Sequence, residues 1–207
     1  MIGSKQRLAM LLSKMKVFDQ PDTTLEQYPT DSEVAAAILW DAKMHGEIEE
    51  KLVADFGCGT GILGIGALAL GAKRVIFIEL DAKVFPALMA NLHLLEQELK
   101  KEFSNYEIIQ GNIENYHHPV DVVIQNPPFG TQEKHADLVF LKKALALAPV
   151  AYSLHKTSTI DYLRDWARAN DARVTHEQNY DFPLKLTMAQ HTKRIERIAV
   201  SCLRFQV

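Results

Sequence analysis

Val53-Ala54-Asp55-Phe56-Gly57-Cys58-Gly59-Thr60-Gly61 decides how this chain is read. A short apolar run breaks into alternating glycines and then opens into a second apolar stretch. The first run reads as a buried strand, Leu52–Phe56, and the second as a helix from Ile62 to a stop at Gly71. Glycines between them permit a tight turn that brings backbone close to a ligand. The helix N-terminus then points free N–H groups at whatever the turn holds. Such a turn belongs to a strand–helix–strand unit, so a parallel sheet is expected around it.

The rest of the chain alternates in the same way. Strands are expected at Arg74–Glu79, Tyr106–Gln110, residues 121–125 and 151–154, with helices at 82–101, 134–148 and 157–170. Asp31 or Ser32 is expected to cap an earlier helix that begins near Glu33. The last two strands, 172–180 and 195–205, have no helix between them and should pair antiparallel at one edge. The segment 180–185 joins them. The fold expected is a doubly wound, mostly parallel seven-stranded α/β sheet occupying residues 30–207. Residues 1–29 form an appended N-terminal helix, with Leu8, Leu11, Leu12 and Met15 at helical spacing, and a connection broken by Pro21 and Pro29.

Composition bounds the function. Of the 207 residues, 47% are hydrophobic and 24% charged, with a net charge of −3. That excludes a disordered chain and a histone-like polycation. The longest near-apolar runs, 62–72 and 144–154, have 11 residues each, short of the roughly 18 that a membrane-spanning helix needs. The apolar run 8–12 is too short for a secretory leader. Two cysteines, Cys58 and Cys202, make neither a disulfide framework nor a four-cysteine zinc site, and a cytoplasmic location is expected. His117-His118 lacks partners at zinc-ligand spacing and reads as surface loop, so no metal is expected.

Glu79 ends the second strand 18 residues after Gly61, where a carboxylate can take the ribose hydroxyls of an adenosine. Gly59-Thr60-Gly61-Ile62-Leu63-Gly64 also fits the G-x-G-x-x-G fingerprint of NAD-binding units. Two features argue against NAD. Asp55 sits at the strand end, where it orders the loop or meets a cationic amine. A second motif, Asn126-Pro127-Pro128-Phe129, follows the strand at 121–125 and has no place in hydride transfer. The Asn126 side-chain oxygen and the Pro127 carbonyl can accept the two hydrogens of an exocyclic amine, orient its nitrogen and favour the charge that develops on it. Pro128 removes another competing N–H, and Phe129 can stack on a base. These four are the expected catalytic residues.

Together these residues resemble the class I S-adenosylmethionine-dependent amino-methyltransferases. Four blocks resemble, more closely, the methyltransferase-like protein 5 family and its archaeal relatives. They are Leu25-Glu26-Gln27-Tyr28-Pro29-Thr30, Asp55-Phe56-Gly57-Cys58-Gly59, Asn126-Pro127-Pro128-Phe129-Gly130-Thr131 and Tyr152-Ser153-Leu154-His155-Lys156. The resemblance implies S-adenosylmethionine as cofactor and N6 of an adenosine in small-subunit ribosomal RNA as target. It implies cofactor contacts from Gln27, Tyr28, Thr30, Gly57 and Glu79, joined by Asp55, Gly59 and Gly61 of the loop. Asn112, followed by Ile113, stands where the family has an acidic residue for the adenine amine; Asn accepts from that amine without a charge. The resemblance also implies a small zinc-binding activator like Trm112, pairing along the edge strand Tyr106–Gln110. For RNA contact the candidates are His155 and Lys156, past a strand end, and the basic cluster Lys193, Arg194 and Arg197. Lys5, Arg7, Lys14 and Lys16 form a second basic group. Two rival functions share much of this pattern: methylation of a protein glutamine, and a catalytically silent cofactor-binding scaffold in ribosome assembly.

Overall fold

The computed structural model describes residues 2–17, 29–129, 136–186 and 194–207. Its seven strands are β1 (Leu52–Phe56), β2 (Arg74–Glu79), β3 (Tyr106–Gln110), β4 (Val122–Gln125), β5 (Val150–Lys156), β6 (Arg173–Leu186) and β7 (Arg194–Gln206). They form one sheet in the order β3-β2-β1-β4-β5-β7-β6. β1 to β5 are parallel, while β7 is antiparallel to both β5 and β6. This is the doubly wound sheet with the antiparallel edge pair that the alternation of elements implies.

The helices are α1 (Lys5–Leu12), α2 (Ser32–Met44), α3 (Ile62–Ala69), α4 (Phe85–Leu99), α5 (Ala136–Leu147) and α6 (Ile160–Ala169). Asp31 caps α2, its Oδ1 accepting from Glu33 N at 2.9 Å and Val34 N at 3.2 Å. The long helix expected over 82–101 is divided. A 3-10 turn, Ala82–Val84, precedes α4, which carries Pro86 in its first turn. Proline has no N–H to give and is tolerated there.

Two cores lie on opposite faces of the sheet. α1 to α4 cover one face, burying Leu12, Leu39, Leu68, Phe77 and Leu92. α5 and α6 cover the other with Leu141, Ala144, Leu163 and Ala167 against Phe56 and Phe205. Helix α1 belongs to the first core and is no free appendage: Leu8, Leu11 and Leu12 are buried, and Ile2 N donates to Ala69 O. Burying such a leucine is worth about 1.5–3 kcal/mol, which ties the helix down.

Residues 180–185, expected as a connection, instead extend β6 to Leu186. Pro183 is compatible with this because β6 is an edge strand, where a missing N–H costs no ladder bond. β7 pairs with β5 only over Val200–Gln206 but with β6 from Arg194 onward. The stretch of β7 before Val200 therefore continues, paired with β6 alone, as a two-stranded ribbon past Lys156 at the carboxyl end of β5. No helix among the described residues is long and apolar enough to cross a membrane.

Candidate active site

The glycine loop runs from β1 into α3. Gly57, Gly59 and Gly61 have φ of 63°, 52° and 87°, the left-handed region where a Cβ is disfavoured. At Gly61 there is also no room: a Cβ would lie 2.2 Å from Leu88 Cδ1 on α4. Gly64 meets the same limit, since a Cβ there would lie 2.3 Å from Phe77 Cε1. The third glycine of the dinucleotide-like fingerprint thus serves close packing of α3 on β2.

Asp55 orders this loop. It is 1% exposed, and its Oδ2 accepts from Gly64 N at 2.7 Å. Burial raises its pKa to about 7, against the lowering effect of that bond and with a further rise from the Glu79 charge. Cys58 is buried in the same loop. Burial and the Asp55 and Glu79 charges push its thiol well up, so it is no thiolate nucleophile. Asn91 of α4 secures the loop from behind. Its Nδ2 donates to Thr60 O at 2.9 Å and Lys16 O at 3.0 Å, and its Oδ1 accepts from Lys16 N at 2.7 Å.

Glu79, at the end of β2, accepts from Gly59 N at 2.8 Å through Oε2 and from Asp81 N at 2.9 Å through Oε1. A carboxylate has about four acceptor sites, so each oxygen keeps capacity for a ribose hydroxyl. Asn112 caps the 3-10 turn Ile113–Asn115, its exposed side chain accepting from Glu114 N at 2.9 Å, while Ile113 is buried beneath it. The left-handed glycines, the partly used Glu79 carboxylate and α3's uncapped N-terminus all fit an adenosyl cofactor laid over β1 and β2. Gln27 and Tyr28 lie outside the described residues.

The second motif leaves β4, the neighbour of β1. The amide of Asn126 is oriented by Thr30, Nδ2 donating to Thr30 Oγ1 at 3.0 Å. Asn126 Oδ1 is a buried acceptor with no partner among the described residues. Pro127 is buried, Pro128 half-buried, and Phe129 packs against the α1–α4 core. Thr30, expected at the cofactor, here also holds Asn126.

His155 requires a correction. It is fully buried, held by Ser153 Oγ at 2.8 Å and Asp137 Oδ2 at 3.2 Å, and cannot touch RNA. It lies within β5, where the strand buries its side chain against α5. Lys156, the last residue of β5, is partly exposed at the sheet's carboxyl end. Arg194 and Arg197 fall in the ribbon portion of β7, and Lys193 lies outside the described residues. The sequence reading missed Asn91, Ser153 and Asp137. Asn91 and Asp137 read as ordinary polar positions on helices, and Ser153 carries no signal beyond its place in the block 152–156.

A parallel sheet with this glycine loop after β1, an acidic end to β2 and an Asn-Pro-Pro-Phe run after β4 defines a Rossmann-like class I methyltransferase. Residues 15–180 match the family model described as Conserved hypothetical protein 95. The chain is 34% identical over 207 residues to the uncharacterized protein MJ0284 of Methanocaldococcus jannaschii, covering 98% of this chain and 94% of that one. It is 34% identical over 211 residues to the rRNA N(6)-adenosine-methyltransferase METTL5 of Danio rerio, covering 97% of each. The crystal structure of a putative RNA methyltransferase, PH1948 from Pyrococcus horikoshii, superposes with a TM-score of 0.87 at 39% identity, covering 98% of this chain and 97% of that one. The chain belongs to the Conserved hypothetical protein 95 family and is a METTL5-like member of it.

Proposed function

We propose that this methyltransferase transfers the methyl group of S-adenosylmethionine to N6 of an adenosine in small-subunit ribosomal RNA. One observation carries the reading: Asn126 holds a buried Oδ1, unpartnered among the described residues, at the carboxyl end of β4, its amide turned by Thr30. Buried acceptors are nearly always paired, so an orphan here fits an incoming N–H donor. The relatives named as rRNA N(6)-adenosine-methyltransferases support the amine of adenine as that donor.

The exocyclic amine of adenine is a weak nucleophile because its lone pair is delocalised into the ring. Asn126 Oδ1 and the Pro127 carbonyl accept its two hydrogens, hold the lone pair in line and stabilise positive charge building on nitrogen. Phe129 supplies an aromatic face for the base. Glu79, Asp55, Thr30, Asn112, Ile113 and the loop glycines, with Gln27 and Tyr28, hold or frame the cofactor. When bound, S-adenosylmethionine supplies the electrophilic methyl.

The β6–β7 ribbon extends past the same end of the sheet as Asn126. That placement supports Arg194 and Arg197, with Lys156, as contacts to RNA phosphate, and the neighbouring Lys193 is proposed to join them. For a Trm112-like activator, β3 is a free sheet edge. Beside it a groove of about 480 Å³ runs along β2 and β3, lined by Arg74, Ile76, Ile78, Ile109 and Tyr116. The β3–β4 connection carries only the 3-10 turn Ile113–Asn115 among its described elements, so no helix covers that face. A free edge beside an apolar groove suits strand addition. A cytoplasmic location is consistent with two buried, unpaired cysteines.

Labelled methyl transfer from S-adenosylmethionine tests the function. Label should enter purified small-subunit rRNA as N6-methyladenosine. Label in release-factor glutamine instead, or in neither, would overturn the assignment.

A further inference from the structure

We infer that a buried line of side chains, Gln125–Ser153–His155–Asp137, positions the Asn126-Pro127-Pro128-Phe129 motif from beneath. Gln125 Nε2 donates to Ser153 Oγ at 2.9 Å. Ser153 Oγ meets His155 Nε2 at 2.8 Å, and His155 Nδ1 meets Asp137 Oδ2 at 3.2 Å. An ionised Asp137 accepts only, so Nδ1 carries the proton and Nε2 accepts from the Ser153 hydroxyl. Every bond then runs one way, from the last residue of β4 to the first turn of α5. Gln125 is 1% exposed, and Ser153 and His155 are 0%.

The motif needs such support because the sheet stops at its threshold. Gln125 is the last β4 residue in register with a neighbour, opposite Phe56 and Ser153. Pro127 and Pro128 have no N–H to extend the ladder. Asn126 and Gln125 project from opposite faces of a strand end, and each is fixed by its side chain: Asn126 to Thr30, Gln125 to Ser153. Asp137 also secures the far side of the loop, because α5 resumes the chain after the motif. Burial pushes the Asp137 carboxyl up, but its hydrogen bond to His155 and the bonds to Leu138 N and its own N outweigh that and hold it below the ordinary range. The contacts repeat those of a Ser-His-Asp nucleophile, yet burial closes Ser153 to any substrate. The role left is orientation.

The inference rests on the proposed methyl transfer for its kinetic readout, and a second readout stands apart from it. His155→Phe should lower single-turnover methyl transfer by about ten- to a hundredfold, as small misplacements of reacting groups do. Affinities for S-adenosylhomocysteine and RNA should stay near wild type. Hydrogen exchange of the Asn126 side-chain amide, followed by NMR, should accelerate while the Val123 and Ile124 backbone amides stay protected. Adding Gln125→Met should cost less than additively, because both act through one line. Leu163→Ala, in the same core, serves as a control for lost stability and should leave Asn126 exchange unchanged. If His155→Phe does not fold, Ser153→Ala breaks the same line with little change of volume and carries the same expectations. Unchanged Asn126 exchange, or a rate loss matched by the Leu163→Ala control, would overturn the inference. If wild-type protein methylates no RNA, the proposed function fails, and Asn126 exchange alone decides this point.

Discussion

Asn126 Nδ2 donates to Thr30 Oγ1 at 3.0 Å across 96 residues of chain. Thr30 sits just before α2 and Asn126 just after β4, so the bond joins the N-terminal layer to the acceptor motif. Asn126→Ala should reduce methyl transfer by about a hundredfold or more, the usual loss when one transition-state hydrogen bond is removed. Thr30→Val keeps the volume but frees the amide to rotate, and should cost about tenfold. Steady-state kinetics on rRNA, with calorimetry for cofactor affinity, checks both. Full activity in Asn126→Ala would contradict the mechanism.

Asp55 should make the protein less stable as pH rises towards neutrality. Its pKa is about 7 when folded against an ordinary 3.8. Between those values the folded protein keeps a proton that the unfolded chain releases, so unfolding free energy falls as pH rises. The effect is absent below the unfolded value and complete above the folded one. Asp55→Asn keeps an acceptor for Gly64 N and removes the ionisation. Urea melts at pH 5 and pH 8 should therefore differ less in the variant than in the wild type, and an unchanged difference would contradict the raised Asp55 pKa.

Gly61 should not tolerate alanine. The methyl would meet Leu88 at 2.2 Å, at a φ of 87°. Overpacking and left-handed strain each cost about 1–3 kcal/mol. Gly61→Ala should lower the melting temperature and weaken S-adenosylhomocysteine binding together. Gly3→Ala, where a Cβ meets nothing within 4 Å, should do neither.

The ribbon should carry the salt dependence of RNA binding. Neutralising Lys193, Arg194 and Arg197 together should lower RNA affinity and flatten its dependence on salt, because fewer counterions are released. S-adenosylmethionine affinity should hold. The target base has to leave a duplex to reach Asn126, so a fully paired adenosine should react poorly. Wild-type affinity and salt slope in the triple variant would move the interface to the N-terminal basic residues Lys5, Arg7, Lys14 and Lys16.

Local signals decided much of this molecule. Glycines at 57, 59 and 61 can only follow a strand and open a helix in a chain so patterned, and Asn126-Pro127-Pro128 can only end a strand. From these the parallel sheet was legible, with the glycine loop and Asn126-Pro127-Pro128-Phe129 at one end of it, as was the antiparallel pair that lacks a crossover helix. Three-dimensional packing decided the rest, since partners far apart in sequence leave no mark on spacing. Pro183 reads as a break until β6 proves to be an edge. His155 follows a buried strand and reads as facing the ligand, until α5 brings Asp137 against it. Thr30 and Asn126 show no tie along the chain until the fold sets one beside the other, and Asn91 reads as a polar helix position until it spans Lys16 and Thr60. Backbone conformation depends on neighbouring residues and is written along the chain; which polar groups satisfy one another after burial depends on how the layers close.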